Sequence, residues 1–495
     1  MMGQQPPPQE KLFYTGIRLD KRVRSNHPLR KIDQIIDFEF IYGEVKDKYG
    51  SNGNVSIPPP IILKLMLLLV FYNVRSEREL MDTLPERLDW LWFLGYDLDA
   101  EMPNHSVMSK ARKKWGVETF KKFFEIIVWQ CVEAGLVDGR KIFVDSSLVD
   151  ADASNNSVVD TQSLKRYLNK SYQELEKRLD IEEDPRKKTK NYRTMNNRYI
   201  STTDPEASIV RIGKTKLRYH THRAVDTAAE IITATEVTTG DVNEAHRMDA
   251  LIDAHQENTE TAAKTIVGDS KYGTIKNYLN CHDRGIKAHI PDLKKKQQKS
   301  GLRSGIYSDN RFLYDKESDT YECPAGKRLK RRKVHKPRDS VEYAGSKKEC
   351  GQCELRRHCT KSKTSRTIKR HMRQDDLDTM RAMAGSAESK RDITTRHHLM
   401  ERTFARAKRY GYKRARWRRL WRVQIQEYIT AAIQNIDVLV KYGRNTRKAP
   451  AVAMKIGQRN LAVWGARCLE LLHWSNIRGK IKYPQVLCCY SLEGF

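Results

Sequence analysis

Apolar residues recur at helical spacing from the first well-patterned stretch, "LRKIDQIIDFEFIYGEVKDKY" (29–49), which predicts helix. The run "PPPIILKLMLLLVFYNV" (58–74) is apolar nearly all round and predicts a buried helix. "SERELMDTLPERLDWLWFLG" (76–95) predicts an amphipathic helix, and "NHSVMSKARKKWG" (104–116) a short basic one capped by Asn104 or Ser106. These elements make an all-helical N-terminal domain over 27–135, after a polar, Pro-rich irregular segment at 1–26.

Past 135 the period changes. "GRKIFVDSS" (139–147), "LRYHTHRAVD" (217–226) and "AEIITATEVTTG" (229–240) predict three strands. A helix over 241–258 with Asp241 as its cap, a strand in "AKTIVGDSKYG" (263–273), a helix in "TIKNYLNCHDRG" and a strand at 286–290 follow. That order is an α/β one: a mixed sheet with flanking helices, over 136–443. Two insertions interrupt it, at 148–215 with the charged helix "SLKRYLNKSYQELEKRLD", and at 291–385 with four cysteines. Residues 394–443 predict two helices joined near Gly411, the second with a clean apolar face, and 444–495 form a tail.

Charge narrows the choice of partner. Lys and Arg total 92 against 62 Asp and Glu, a net charge of +30, which favours a polyanion, with nucleic acid first. The most apolar run opens with three prolines and is broken by Lys64, so it falls short of a membrane span. "MMGQQPPPQEKLF" lacks a basic stretch followed by an apolar core, so the expectation is a cytoplasmic, nucleoid-associated protein with reduced thiols.

The acidic residues suggest chemistry. Phosphoryl transfer through two divalent metals needs carboxylates converging from different elements, because Mg²⁺ takes hard oxygen ligands and keeps positions open for water and phosphate. Asp145 ends the run "IFVD" and Asp269 the run "TIVGD", where strand ends of an open sheet share a crevice. On this reading Asp150 and Asp152 are turn or cap residues. Glu401 offers a third acid from a helix amid Arg396, Arg402, Arg406 and Lys408. Each acid alone is more often a cap, a turn residue or a surface ion pair; the ordered set is the stronger signal.

"FVDSS", "VGDSKYG" and "MERTFARAKR", in that order, resemble the three acidic motifs of the DDE transposases of bacterial insertion sequences. "HPLRKID", "SEREL", "WFLG" and "NHSVMSKAR" resemble the helical domain that precedes the catalytic domain in one branch of them. The resemblance spans about 27–440. It implies an RNase H-like catalytic domain in which Asp145, Asp269 and Glu401 hold two Mg²⁺ or Mn²⁺ ions. It also implies nicking at terminal inverted repeats, joining of the freed 3′-OH to target DNA, and at least a dimer to pair two ends. Glu401 and Lys408 keep the six-residue gap of the Tyr-x2-Arg-x3-Glu-x6-Lys signature, which returns both to one helix face. The Arg position is held by His397, Arg396 stands one residue too early, and the Tyr is missing. A non-catalytic DNA-binding protein, and a metal-dependent nuclease that cuts without joining, are the competing readings.

DNA contacts are expected from Lys110, Arg112, Lys113 and Lys114 on the basic helix, against a solvated face as the plain alternative. Lys408 is expected on a phosphate, and Arg414, Arg416 and Trp417 in "RAKRYGYKRARWRRLWR" on phosphates and bases. His222 is an accessory candidate with a packed histidine as the alternative. Cys323, Cys350, Cys353 and Cys359 form C-x26-C-x2-C-x5-C in a segment too rich in Lys and Arg to bury a core. A structural Zn²⁺, an iron–sulfur cluster and plain thiols all fit that spacing.

Overall fold

A computed structural model describes residues 2–4, 18–51, 54–160, 199–292 and 305–443. The charged helix expected in the first insertion and the tail 444–495 lie outside them. Local breakers divide the N-terminal region more finely than its apolar pattern does. Helices α1 (Leu19–Arg22), α2 (Pro28–Ile35) and α3 (Phe40–Val45) precede α4 (Pro59–Phe71). Prolines at the first two positions of α4 start it without losing a needed N–H. Lys64, its one long cation, donates to Asp33 Oδ1 at 2.8 Å and the Phe93 carbonyl at 2.9 Å, which permits its place in the apolar helix. Pro85 splits the stretch 76–95 into α5 (Glu77–Thr83) and α6 (Leu88–Leu94), separated by a 3₁₀ turn. The basic helix continues as α7 (Ser106–Glu133), bent where Gly116 takes φ +76°.

Eight strands follow: β1 (Lys141–Asp150), β2 (Val158–Asp160), β3 (Tyr199–Ser201), β4 (Ser208–Ile212), β5 (Lys214–Asp226), β6 (Ile232–Thr239), β7 (Thr265–Val267) and β8 (Lys287–His289). The main sheet runs β6-β5-β1-β7-β8, antiparallel on the β5 side of β1 and parallel on the β7 side, with β4 added to β5. This is the mixed, RNase H-like sheet expected. Helices α8 (Met248–Thr259) and α9 (Ile275–Asp283) cover the face that carries Ile142 and Val144. The first begins seven residues later than expected, because Asn243 caps a 3₁₀ turn ahead of it. The opposite face, with Phe143 and Val225, shares one core with the N-terminal helices.

β1 runs past its expected end. Pairing with β5 continues to Asp150↔Arg218, so Asp145 lies mid-strand, and residues 148–150 belong to the sheet rather than to the first insertion. Asp150 is a strand residue held by Lys216 and Arg218, not a turn residue. The second insertion also departs from expectation. Its described part forms β9 (Leu313–Asp315), β10 (Thr320–Glu322), β11 (Arg328–His335), β12 (Ser340–Ala344) and β13 (Thr367–His371) in one antiparallel sheet. Short helices α10 (Lys347–Gly351) and α11 (Arg356–Cys359) join β12 to β13. It does bury a small core, of Phe312, Tyr321, Leu329, Val341, Tyr343 and Ile368, while the cations of β11, including the run Lys330 to Lys333 where the strand's register shifts, stay exposed. Helix α12 (Gln374–Ala384) returns to the main core through Leu377 and Met380. The last two helices are α13 (Ala387–Arg409) and α14 (Leu420–Tyr442), joined through Gly411 at φ +77°.

Candidate active site

The parallel pairing of β1 with β7 sets the site. Phe143 is level with Val267, the last pair of that ladder; two residues further on stand Asp145, still within β1, and Asp269, in the turn that follows β7, close enough for their charges to interact. Asp145 Oδ1 accepts the Ser146 N–H at 2.8 Å, and Asp269 Oδ1 caps the following 3₁₀ turn through the Lys271 N–H at 2.8 Å. Helix α13 lies over β1 and delivers Arg396, whose Nη1 donates to Asp145 Oδ2 at 2.6 Å. Burial raises the Asp145 carboxyl above the usual range against the pull of Arg396, and the charges of Asp269 and Glu244 add to the rise. A cation between these acids would therefore be held by charge as well as by ligation.

Glu244 is the functional candidate that sequence reading missed. Buried in the turn before α8, it accepts from the Ser146 hydroxyl and pairs with Lys271 Nζ at 2.6 Å. His220 Nε2 lies 2.9 Å from that same Ser146 Oγ. Tyr272, buried beside the three carboxylates, has its phenol pushed well up by burial and by their charge. The signal in the sequence was weak, since "DVNEAH" reads as a helix start in which an acid is ordinary.

Glu401 stands apart from this group. It occupies an exposed face of α13, its side chain 68% accessible, with His397 Nδ1 3.5 Å from its carboxylate. Five residues on a helix turn it about 140° from Arg396, the residue that touches Asp145. Lys408 lies exposed on the same helix. The structure thus brings Asp145 and Asp269 together and leaves Glu401 outside their contacts. Among the described residues, two groups hold their ligand atoms within 4.8 Å of one another: His397, His398 and Glu401, and His289, Glu388 and Asp392. Lys141 Nζ, 2.9 Å from Asp392 and 3.6 Å from Glu388, already occupies the second with one positive charge.

The expected DNA contacts divide. Lys110, Lys113 and Lys114 are on the exposed side of α7, with Lys114 over the Tyr49 ring. Arg112 is instead buried, paired with Glu77, with its guanidinium 3.9 Å from the centre of the Trp417 ring. Trp417 Nε1 donates to Glu77 Oε1 at 3.1 Å, and Arg416 is bonded to Asn73 and the Val74 carbonyl. Arg112, Arg416 and Trp417 thus brace the junction where α7 meets the α13–α14 connection, Arg112 buried and Arg416 and Trp417 half-buried there. Arg414 is exposed and pairs with Asp152 at 2.9 Å. His222 is fully buried, with Nε2 2.9 Å from Thr238 Oγ1, and burial lowers it to about 3: it is a packed histidine.

Residues 17–114 match the family described as a transposase domain (DUF772), and residues 322–440 the family described as a transposase DDE domain. No curated protein matches the chain. Among solved structures, the piggyBac transposase synaptic complex with hairpin DNA is similar with a TM-score of 0.35 and 9% identity, over 86% of this chain and 78% of that one. The Mos1 transposase paired-end complex with the left transposon end is similar with a TM-score of 0.16 and 11% identity, over 48% and 61%.

Proposed function

We infer that this chain, which carries a transposase domain and a transposase DDE domain, binds the inverted-repeat ends of an insertion sequence, cleaves them and joins the 3′-OH ends to target DNA. The observation that carries the chemistry is the pair Asp145 and Asp269, each two residues beyond the last β1–β7 pair and near enough for their charges to interact, within a sheet of RNase H-like order. Their hard oxygen donors fit Mg²⁺ or Mn²⁺, and Glu401 is the third acid by its motif. Two such ions, when bound, activate a water or 3′-OH and stabilise the leaving oxygen. The chain's own part is to hold the acids. Ser146 fixes one Asp145 oxygen, the turn at Lys271 fixes Asp269, and Arg396 and Lys271 balance their charge.

A second reading of the third acid is Glu244, favoured by its carboxylate lying beside Asp145 and Asp269. The test uses the full chain, Mg²⁺ and a duplex carrying the element ends. Asp145→Ala and Asp269→Ala abolish cleavage while DNA binding persists, and full activity in either removes that residue from the site. Loss in Glu401→Gln with activity kept in Glu244→Gln assigns the third position to Glu401; the reverse assigns it to Glu244. Precleaved ends that are joined to target separate a transposase from a nuclease.

A further inference from the structure

The second insertion gathers Cys323, Cys350, Cys353 and Cys359, spread over 37 residues of sequence, around one pocket that Lys327, Gly345, Arg356 and Arg366 also line. None is in a disulfide, and none is fully buried. Cys323 sits in a tight turn after β10: its N–H donates to the Lys327 carbonyl at 2.9 Å, its carbonyl accepts from Gly326 at 2.8 Å, and its Sγ accepts the Lys327 N–H at 3.4 Å. An N–H aimed at sulfur favours the thiolate, the form that ligates metal. Gly345 admits Cys350, since a Cβ there would lie 2.9 Å from the Cys350 Sγ.

The loop between β12 and β13 is organised around these thiols. Arg356 donates to the Cys350 carbonyl at 2.7 Å and the Ser362 carbonyl at 2.9 Å; Arg366 donates to the Cys359 carbonyl at 2.9 Å and to Asp309 at 2.7 Å. Both arginines fasten backbone next to a cysteine, so the thiols are held while the loop has little apolar anchoring of its own. Cys323 and Cys359 pack at the margin of the module's small core. The sulfurs are more widely spaced than the carboxylate and histidine groups above, and an ion would draw them inward.

We propose that Cys323, Cys350, Cys353 and Cys359 bind one structural Zn²⁺ that closes the β9–β13 module. Four thiolates select zinc or iron–sulfur chemistry; a structural site of four cysteines closed around a single tetrahedral ion is the ordinary zinc arrangement, and an absorption spectrum separates the two. The ion supplies cohesion that so small a core lacks, and thereby fixes the strand β11, which exposes Arg328, Lys330, Arg331, Arg332 and Lys333.

Metal analysis of the purified full chain tests this, with one zinc per chain expected. Cys350→Ser with Cys353→Ser loses it, whereas replacing Cys468, Cys488 and Cys489 by Ser, or Asp145 and Asp269 by Ala, leaves it bound. Because the double variant could fail to fold, the wild-type chain is also produced in cobalt-supplemented medium, where the visible bands of tetrahedral cobalt–thiolate are expected. A chain that contains no zinc and takes up neither metal when it is added overturns the proposal, and so does a visible iron–sulfur spectrum.

Discussion

Lys110, Arg112 and Lys113 carry the same charge within four positions of one helix, yet the fold gives them different work. Arg112 points inward to Glu77 and Trp417, while its two neighbours face solvent. Arg112→Ala should cost about 3 kcal/mol of stability, because it strands Glu77 in a poorly solvated place, and should leave the salt dependence of DNA binding alone; urea unfolding and binding titrations read the two effects. Lys110→Ala and Lys113→Ala should do the opposite, each flattening the slope of log K against log salt by about 1. Glu244 offers a second contrast. If its bonds to Ser146 and Lys271 orient the acids, Glu244→Gln should weaken Mn²⁺ binding by about 10–100-fold, with the fold intact by circular dichroism; an unchanged Mn²⁺ affinity would reduce it to a structural residue. Helical spacing could tell which residues share a face with Glu401, and did so for Lys408. It could not tell which face meets the sheet, since Arg396 and His397 are equally polar in the sequence.

At the scale of elements, α14 shows what an apolar pattern hides. The sequence predicts a helix with an apolar face there, and the helix is present, but Gln424, Gln426, Glu427, Thr430, Gln434 and Asn435 are buried along it. They serve the sheet. The Asn435 amide accepts from the Ile232 N–H at 2.9 Å and donates to the Ile232 carbonyl at 2.8 Å, standing in for a neighbouring strand on β6. Gln424 accepts from the Val237 N–H at 2.6 Å. An edge strand otherwise open to pairing with another chain is thereby covered. Glu427 takes a two-pronged bond from Arg223 at 2.6 and 2.8 Å, both side chains fully buried. Removing one partner of such a pair leaves an uncompensated charge, so Glu427→Ala should destabilise by about 3–5 kcal/mol. Asn435→Leu should cost about 2–4 kcal/mol through two unmet backbone groups, with urea midpoints as the readout for both. Strand existence was legible from period and composition; strand length was not. β1 extends to Asp150 because β5 offers it a long partner, a tertiary fact invisible to the local pattern of "SSLVD".

For the whole molecule, two buried histidines and the half-buried His220 set a pH limit. Burial depresses His220, His222 and His255, His222 to about 3. An unfolded histidine takes up its proton near pH 6.5, roughly, where these stay neutral, so the unfolded state binds more protons and stability is lost as pH falls from there through the depressed values. Asp145, Glu125, Asp204 and Asp437, raised by burial, work in the opposite sense, at the lower pH where carboxylates titrate. The melting temperature should therefore drop between about pH 7 and about pH 5; a flat profile over that interval would contradict the burial of these rings. The order of strands and helices, the helical N-terminal region and the approach of Asp145 to Asp269 were legible in the sequence, because each rests on local period or on a short motif. The single core joining N-terminal helices to sheet, and the place of Glu244, depend on contacts between distant segments and were not.

The central claim is that Asp145 and Asp269 form one metal-dependent centre for DNA cleavage and joining. The most direct measurement is Mg²⁺-dependent joining of precleaved element ends to target DNA by the full chain and by Asp145→Ala and Asp269→Ala. Joined product from the wild-type chain and none from either variant, with end binding retained in all three, is the expected result. Undiminished joining by either variant would contradict it.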